Sequence, residues 1–218
     1  MSAIGAFVTP SGTHLFTDGA CLDADGRLVG LSNKVFVLPR WNAAFALSGA
    51  AWMGGLLSNA LADVDAADFD DLAADHFGMT LRKALAFAAS SGHPSHMLTT
   101  VIALAGWSES RDKPALFTVT TFDRFEAKAF EPVPATRFLN PAGFCDLQSF
   151  EPQRPTETGL AMMRSIRCTK FDALSTPDRR NIFGVGGWCQ HTVVARDNIS
   201  TRVIERWPDR IGQQINPK

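Results

Sequence analysis

The sequence predicts an α+β fold in four layers, two stacked sheets with helices outside them. Three observations carry this reading: blocks of short apolar strand-like runs, a pair of helical stretches inserted between two such blocks, and runs that are apolar on both faces instead of alternating. Ala3 to Val8 and His14 to Thr17 flank Thr9-Pro10-Ser11-Gly12, where proline presets φ and glycine closes the turn, so they read as a hairpin. Leu28 to Leu38 (LVGLSNKVFVL) and Ala43 to Ser48 follow as two further strands, separated at Pro39-Arg40-Trp41-Asn42. From Ala50 the apolar spacing becomes helical, with Trp52, Leu56, Leu57 and Leu61. After the acidic break at 63–71 a second helix carries Leu72, Phe77, Leu81, Leu85 and Phe87 and ends at Gly92-His93-Pro94. Leu98 to Trp107, Leu116 to Thr121 and Lys128 to Val133 predict strands. Thr158 to Phe171 predicts a helix, and Cys189 to Ala195 with Ser200 to Arg206 form a last strand pair around Arg196-Asp197-Asn198. No repeat or linker interrupts the chain, and residues 1–218 are expected to form one domain.

With 218 residues and 45% hydrophobic content, the chain can bury a sizeable core. Its 21 Lys and Arg nearly balance its 22 Asp and Glu, so it lacks the basic field that supplies non-specific nucleic-acid affinity, and no nucleic-acid partner is expected. Cys21, Cys145, Cys168 and Cys189 show no C-x-x-C spacing, and the opening MSAIGAFVTP has neither a basic nor a long apolar segment, which predicts a reduced, cytoplasmic protein. No apolar run reaches the roughly 18 residues that span a bilayer, so no membrane partner is expected either.

The most informative stretch is LFTDGACLDADGRLVG, with Asp18 after an apolar strand. FTDGAC is similar to the first strand of ribonuclease H domains, where the aspartate binds a divalent metal. That chemistry needs several converging carboxylates, yet the first glutamate of the chain is Glu109, and only Asp63 and Asp65, at the far end of the first helix, could substitute. A metal-dependent nuclease using Asp18 therefore stands third among the readings, and no metal site and no cofactor are expected.

A different pattern appears when counting from Ser2. Asp18 lies sixteen positions on, Lys34 sixteen beyond that, and Ser48-Gly49 fourteen later, just before a helix. Lys34 is the only lysine before Lys83, and it interrupts an apolar strand where an unpaired charge is costly. Taken singly, Ser2 carries little information, Asp18 reads equally as a turn former, and Lys34 is harder to dismiss, an edge lysine reaching water being its alternative. Jointly, the spacing and the hairpin–strand–strand–helix framework over residues 1–60 resemble proteasome β subunits and related bacterial compartment peptidases of the N-terminal nucleophile hydrolase class.

The resemblance implies that Ser2, once Met1 is removed, attacks an amide through its hydroxyl and forms an acyl-enzyme, with its own α-amine as base. It implies that Lys34 adds positive potential beside the nucleophile, that Asp18 orients Lys34, and that backbone N–H groups at Ser48 and Gly49 stabilise the oxyanion. It further implies a peptide or amide substrate, a homo-oligomer, and an unfoldase partner of unknown identity. The chain departs from the family in several places. Serine replaces the usual threonine, Ser48 stands where glycine is general, and in NIFGVGGWCQ the pair Gly186-Gly187 persists while Ile182 and Val185 occupy positions that are polar in the family. Asp178 and Asn181 are the candidates to compensate. These losses motivate a second reading, a catalytically silent relative serving as an assembly module.

Three further features are weaker. His93 and His96 flank a Gly-Pro breaker and read as a loop pair. Cys189 and His191 alternate along a strand and read as core residues, with a nucleophile pair as the alternative. Trp52, Met53, Phe69 and Phe77 are expected to supply a subunit contact on the helices between Ala50 and Ser91, packing on the sheet being the alternative for each.

Overall fold

The computed structural model describes residues 2–124, 127–141, 151–172 and 181–217, so Cys145 and the candidate Asp178 lie outside the described residues. The strands are β1 (Ile4–Thr9), β2 (Gly12–Asp18), β3 (Ala20–Leu22), β4 (Leu28–Leu31), β5 (Val35–Leu38), β6 (Ala43–Ser48), β7 (Val101–Ser108), β8 (Lys113–Thr120), β9 (Val133–Ala135), β10 (Arg137–Asn140), β11 (Lys170–Asp172), β12 (Asn181–Phe183), β13 (Trp188–Val194) and β14 (Ile199–Arg206). The helices are α1 (Ala51–Ala62), α2 (Phe69–Asp71), α3 (Phe77–Ser90) and α4 (Pro155–Arg167). Two five-stranded antiparallel sheets dominate, one ordered β10-β1-β2-β13-β14 and the other β5-β6-β7-β8-β9. The pairs β3-β4 and β11-β12 form small separate ribbons. The chain is thus α+β, mostly sheet.

The doubly apolar runs have a direct cause. Every residue of β2, β6 and β7 is buried, because each of these strands is covered on both faces. Between the sheets, Ile4, Ala6 and Leu15 of one pack against Ala44, Ala46, Ala103 and Ala105 of the other, and the Thr13 hydroxyl donates across the interface to the Ala115 carbonyl at 3.1 Å. Small alanines on one side let the two backbones approach closely. On the far face of the second sheet, Phe45, Ile102 and Leu104 meet Met53, Leu57 and Leu61 of α1 and Phe77 and Leu81 of α3. On the far face of the first, Phe7 and Phe16 meet Met162, Met163 and Ile166 of α4. Each fully buried phenylalanine contributes about 2–3 kcal/mol relative to exposure.

Several expectations need correcting. Leu28 to Leu38 is not one strand: β4 pairs with β3 while β5 joins the second sheet through β6. The break falls at Ser32-Asn33-Lys34, where Ser32 N–H donates to Gly19 O and the Asn33 side chain accepts from Val35 N–H at 3.1 Å, a local turn that redirects the chain. The strand expected at Lys128 to Val133 begins only at Val133, because Phe130 adopts φ 70° and donates its N–H to Thr120 O, bending the preceding segment. The helix expected through Phe171 starts at Pro155 and stops at Arg167, followed by β11. Met53, Phe69 and Phe77 are fully buried within the chain and do not form a free interface, while Trp52 is half-buried and stacks on His93 with centroids 4.2 Å apart. The large apolar side chains that do stand exposed on α3 are Met79 and Phe87. Among the described residues, no helix is long and apolar enough to cross a membrane.

Candidate active site

β2 leaves the first sheet at Asp18, and the ribbon β3-β4 returns the chain to Lys34 at the edge of the second sheet. This route brings two residues sixteen positions apart into contact. Lys34 Nζ donates to Asp18 Oδ1 at 2.8 Å and to the Ala20 carbonyl at 2.7 Å, and both side chains are buried. The same Oδ1 accepts the Ala3 N–H at 3.0 Å, while Oδ2 accepts the N–H groups of Ala20 (3.0 Å) and Gly186 (3.3 Å). One ammonium and three amides therefore surround a fully buried carboxylate, the arrangement that makes burial of a charge tolerable. Its lone pairs are committed to these donors. Among the described residues, no three His, Cys, Asp or Glu side chains converge where they could hold a metal ion. Asp63 and Asp65 lie at the other end of α1, where Asp65 pairs with Arg40.

Ser2 is 3% exposed and lies beside this pair. Its peptide group is held from both sides, by Ala3 N–H on Asp18 and by the Ser48 hydroxyl, which donates to the Ser2 carbonyl at 2.9 Å. Ser48 pairs with Val101 in regular strand geometry and its φ is not positive, so serine is accommodated without strain where a left-handed residue would have required glycine. Gly49 is needed for another reason: a Cβ there would meet Thr100 Oγ1 at 2.7 Å and the Thr99 carbonyl at 3.1 Å. The chain then enters α1 through Ala50, whose extended backbone carries no side-chain cap. The first turn of α1 thus lacks a side-chain cap, and the helix start carries the positive end of its dipole.

These groups open onto a cavity of about 320 Å³ lined by Ser2, Lys34 and Gly49, by the apolar side chains of Phe36, Leu47, Trp52 and Met97, and by Asp23 and His96 at polar positions. The site thus brings together Ser2, Asp18, Lys34, Ser48, Gly49 and the Gly186 amide. Gly187, at φ 75°, follows in the same turn but directs its N–H to Asp209 Oδ2 at 2.8 Å. Asn181 stands apart, lining a second cavity of about 280 Å³ with Asp25, Lys170 and Gln214. Ile182 packs against Gly26, and Val185 is fully buried in the apolar cluster under α4.

Cys189 and His191 face α4 from one side of β13. Burial, reinforced by Glu205 and Asp18, pushes the Cys189 thiol up to about 12, which leaves it un-ionised and unreactive. His191 stacks on Phe16 with centroids 4.3 Å apart and accepts or donates one hydrogen bond with His14 at 3.0 Å. Both belong to the core. Sequence reasoning missed Arg167 and Asp209, a buried ion pair bracing the Gly186-Gly187 turn. No spacing rule links the end of a helix to the segment after a strand.

No family model matches the chain, and no curated protein matches it in sequence. Among solved structures it is similar to an Anbu (Gly-1) mutant from Hyphomicrobium sp. strain MC1, at 15% identity and TM-score 0.65 over 96% of this chain and 89% of that one. It is also similar to Anbu (ancestral beta-subunit) from Yersinia bercovieri, at 12% identity and TM-score 0.64 over 93% and 87%. At such identities the likeness is one of fold. It corrects the resemblance drawn from residues 1–60, since the likeness found is to Anbu chains and, at 12% and 15% identity, is one of fold alone. What the comparisons support is a strand-dominated α+β fold similar to that of Anbu.

Proposed function

We propose that the chain is an N-terminal-nucleophile amidohydrolase or peptidase that acts through Ser2 after removal of Met1. The supporting observation is the convergence on one atom, Asp18 Oδ1, of the Lys34 ammonium and the amide that follows Ser2. That atom fixes nucleophile and cation relative to each other at the mouth of a cavity. In the proposed mechanism the Ser2 hydroxyl attacks the carbonyl carbon of a peptide or amide bond and passes its proton to its own α-amine, a group that titrates near pH 8 when unperturbed. Lys34 stabilises the developing alkoxide, and Asp18 aims Lys34. The oxyanion of the tetrahedral intermediate accepts from backbone amides at Gly49 and the uncapped start of α1. Collapse expels the amine with the proton, and water then hydrolyses the Ser2 ester, regenerating the free hydroxyl.

The chain would do this as one four-layer αββα domain in the cytoplasm, assembled into a homo-oligomer that shelters the cavity. A similar fold in chains at 12% and 15% identity is compatible with this reading. Intact-mass measurement of the native protein, followed by incubation with an electrophile selective for N-terminal nucleophiles, tests it. Met1 should be absent and Ser2 covalently labelled, and Ser2→Ala and Lys34→Ala should each abolish labelling and turnover of a small acyl-amide reporter while retaining native circular dichroism. Retention of Met1, or undiminished turnover in either variant, refutes the proposal. The second reading, a silent assembly module, draws on the full burial of Val185 in an apolar cluster. It predicts self-association with no labelling even after Met1 is gone.

A further inference from the structure

We propose that Arg167 and Asp209 are positioning residues for the Asp18–Lys34 pair, acting through the turn Val185-Gly186-Gly187. The catalytic meaning of this inference rests on the N-terminal-nucleophile reading; its geometry does not. Arg167, in the last turn of α4, and Asp209, beyond β14, form a doubly hydrogen-bonded ion pair at 2.7 and 2.8 Å, with side chains 6% and 4% exposed. The pair grips the turn from both ends. Arg167 Nη1 donates to the Val185 carbonyl at 2.8 Å, and Asp209 Oδ2 accepts the Gly187 N–H at 2.8 Å. The Arg167 guanidinium also lies over the Trp207 ring at 4.8 Å, and Trp207 N–H donates to the Gly187 carbonyl at 3.0 Å. Between the two gripped residues, Gly186 N–H points at Asp18 Oδ2, and the Gly186 carbonyl accepts Gly19 N–H at 3.0 Å, next to Asp18 in sequence.

A purely structural clamp between α4 and the C-terminal segment would be served as well by apolar side chains, because desolvating two charges offsets much of what their attraction returns. What the charged pair adds is direction: it fixes a carbonyl and an amide on either side of Gly186, whose amide is the one this turn sends to the Asp18 carboxylate. At 3.3 Å, that Gly186 contact is the longest of the four on Asp18, and a small displacement of the turn would break it.

The experiment is amide hydrogen exchange by NMR on wild type, Asp209→Asn and Arg167→Lys, alongside the rate and pH midpoint of Ser2 labelling by the electrophile. In Asp209→Asn the Gly186 amide should exchange about tenfold or more faster, while amides of Phe16 and Thr192 within the first sheet keep wild-type rates. Arg167→Lys, which keeps the charge but loses the fork, should fall between. Ser2 labelling should slow by about tenfold and its pH midpoint should move. Unchanged Gly186 exchange, or uniform acceleration across the sheet, overturns the proposal, as does selective release of Gly186 with labelling rate and midpoint unaltered. Selective release of Gly186 in a protein whose wild type never labels upholds the bracing of Asp18 and refutes the N-terminal-nucleophile reading instead. Should Asp209→Asn fail to fold, Arg167→Lys carries the same comparison.

Discussion

Two histidines sit where a charge is hardest to carry. His14 and His191 share a hydrogen bond beneath α4, capped at one end by the Thr9 hydroxyl at 3.0 Å and at the other by Thr156 at 3.4 Å, which in turn accepts from the exposed Arg202 at 2.9 Å. Burial lowers His14 to about 4. Burial, then His14 and then Arg202, lower His191 to about 3. Because both values lie below that of an unfolded histidine, the unfolded chain binds protons first as pH falls. The neutral pair therefore favours the folded state above about pH 6.5, and that contribution is lost as pH falls from 6.5 through about 4 for His14 and about 3 for His191. Urea denaturation midpoints should fall across this window, and His14→Gln/His191→Gln should flatten the slope; an equally steep fall in the double variant would show that other groups are responsible. The sequence placed His191 on one face of its strand but could not supply His14 as its neighbour, since strands β2 and β13 meet across most of the chain. The juxtaposition of Asp18 and Lys34, by contrast, was implied by the resemblance over residues 1–60, although the ribbon that makes it was not foreseen. That of Arg167 and Asp209 was not legible, because packing alone unites them.

α4 shows how closely one helix is fitted. Gly159 faces the first sheet, and a Cβ there would run into the Phe16 ring, itself stacked on His191. Gly159→Ala should accordingly lower stability by about 1–3 kcal/mol, although alanine is the better helix former, as measured by chemical denaturation. Stability equal to or above wild type would show that Phe16 can yield. Long periodic elements such as α1, α3 and α4 could be read from their apolar stripes, and the central strands from runs of buried residues. Three-residue strands such as β3, β9 and β12 carry too little pattern to be seen. The switch between β4 and β5 was hidden because a side-chain turn at Asn33, not glycine or proline, makes it.

For the assembled protein, three of the four residues expected to mediate self-association proved internal and Trp52 is half-buried, which moves the prediction to Met79 and Phe87, 47% and 62% exposed on α3. The proposed homo-oligomer should give a light-scattering mass at micromolar concentration well above the 23.6 kDa of one chain, and Phe87→Glu should reduce it. A wild-type mass of one chain would end the oligomer proposal. The crossing at Ser32-Asn33-Lys34 has a consequence in time. Asp18 ends a strand of one sheet and Lys34 opens a strand of the other, so their ion pair exists only once the sheets have met. In folding kinetics, Lys34→Met should then quicken unfolding by on the order of a hundredfold, matching a loss of about 3 kcal/mol, and leave the refolding rate nearly unchanged. A slowed refolding limb would place the pair in the nucleus instead. A nascent chain with one sheet formed holds Asp18 and Lys34 apart, so under the proposed mechanism the reactivity of Ser2 would arrive only once both sheets have joined.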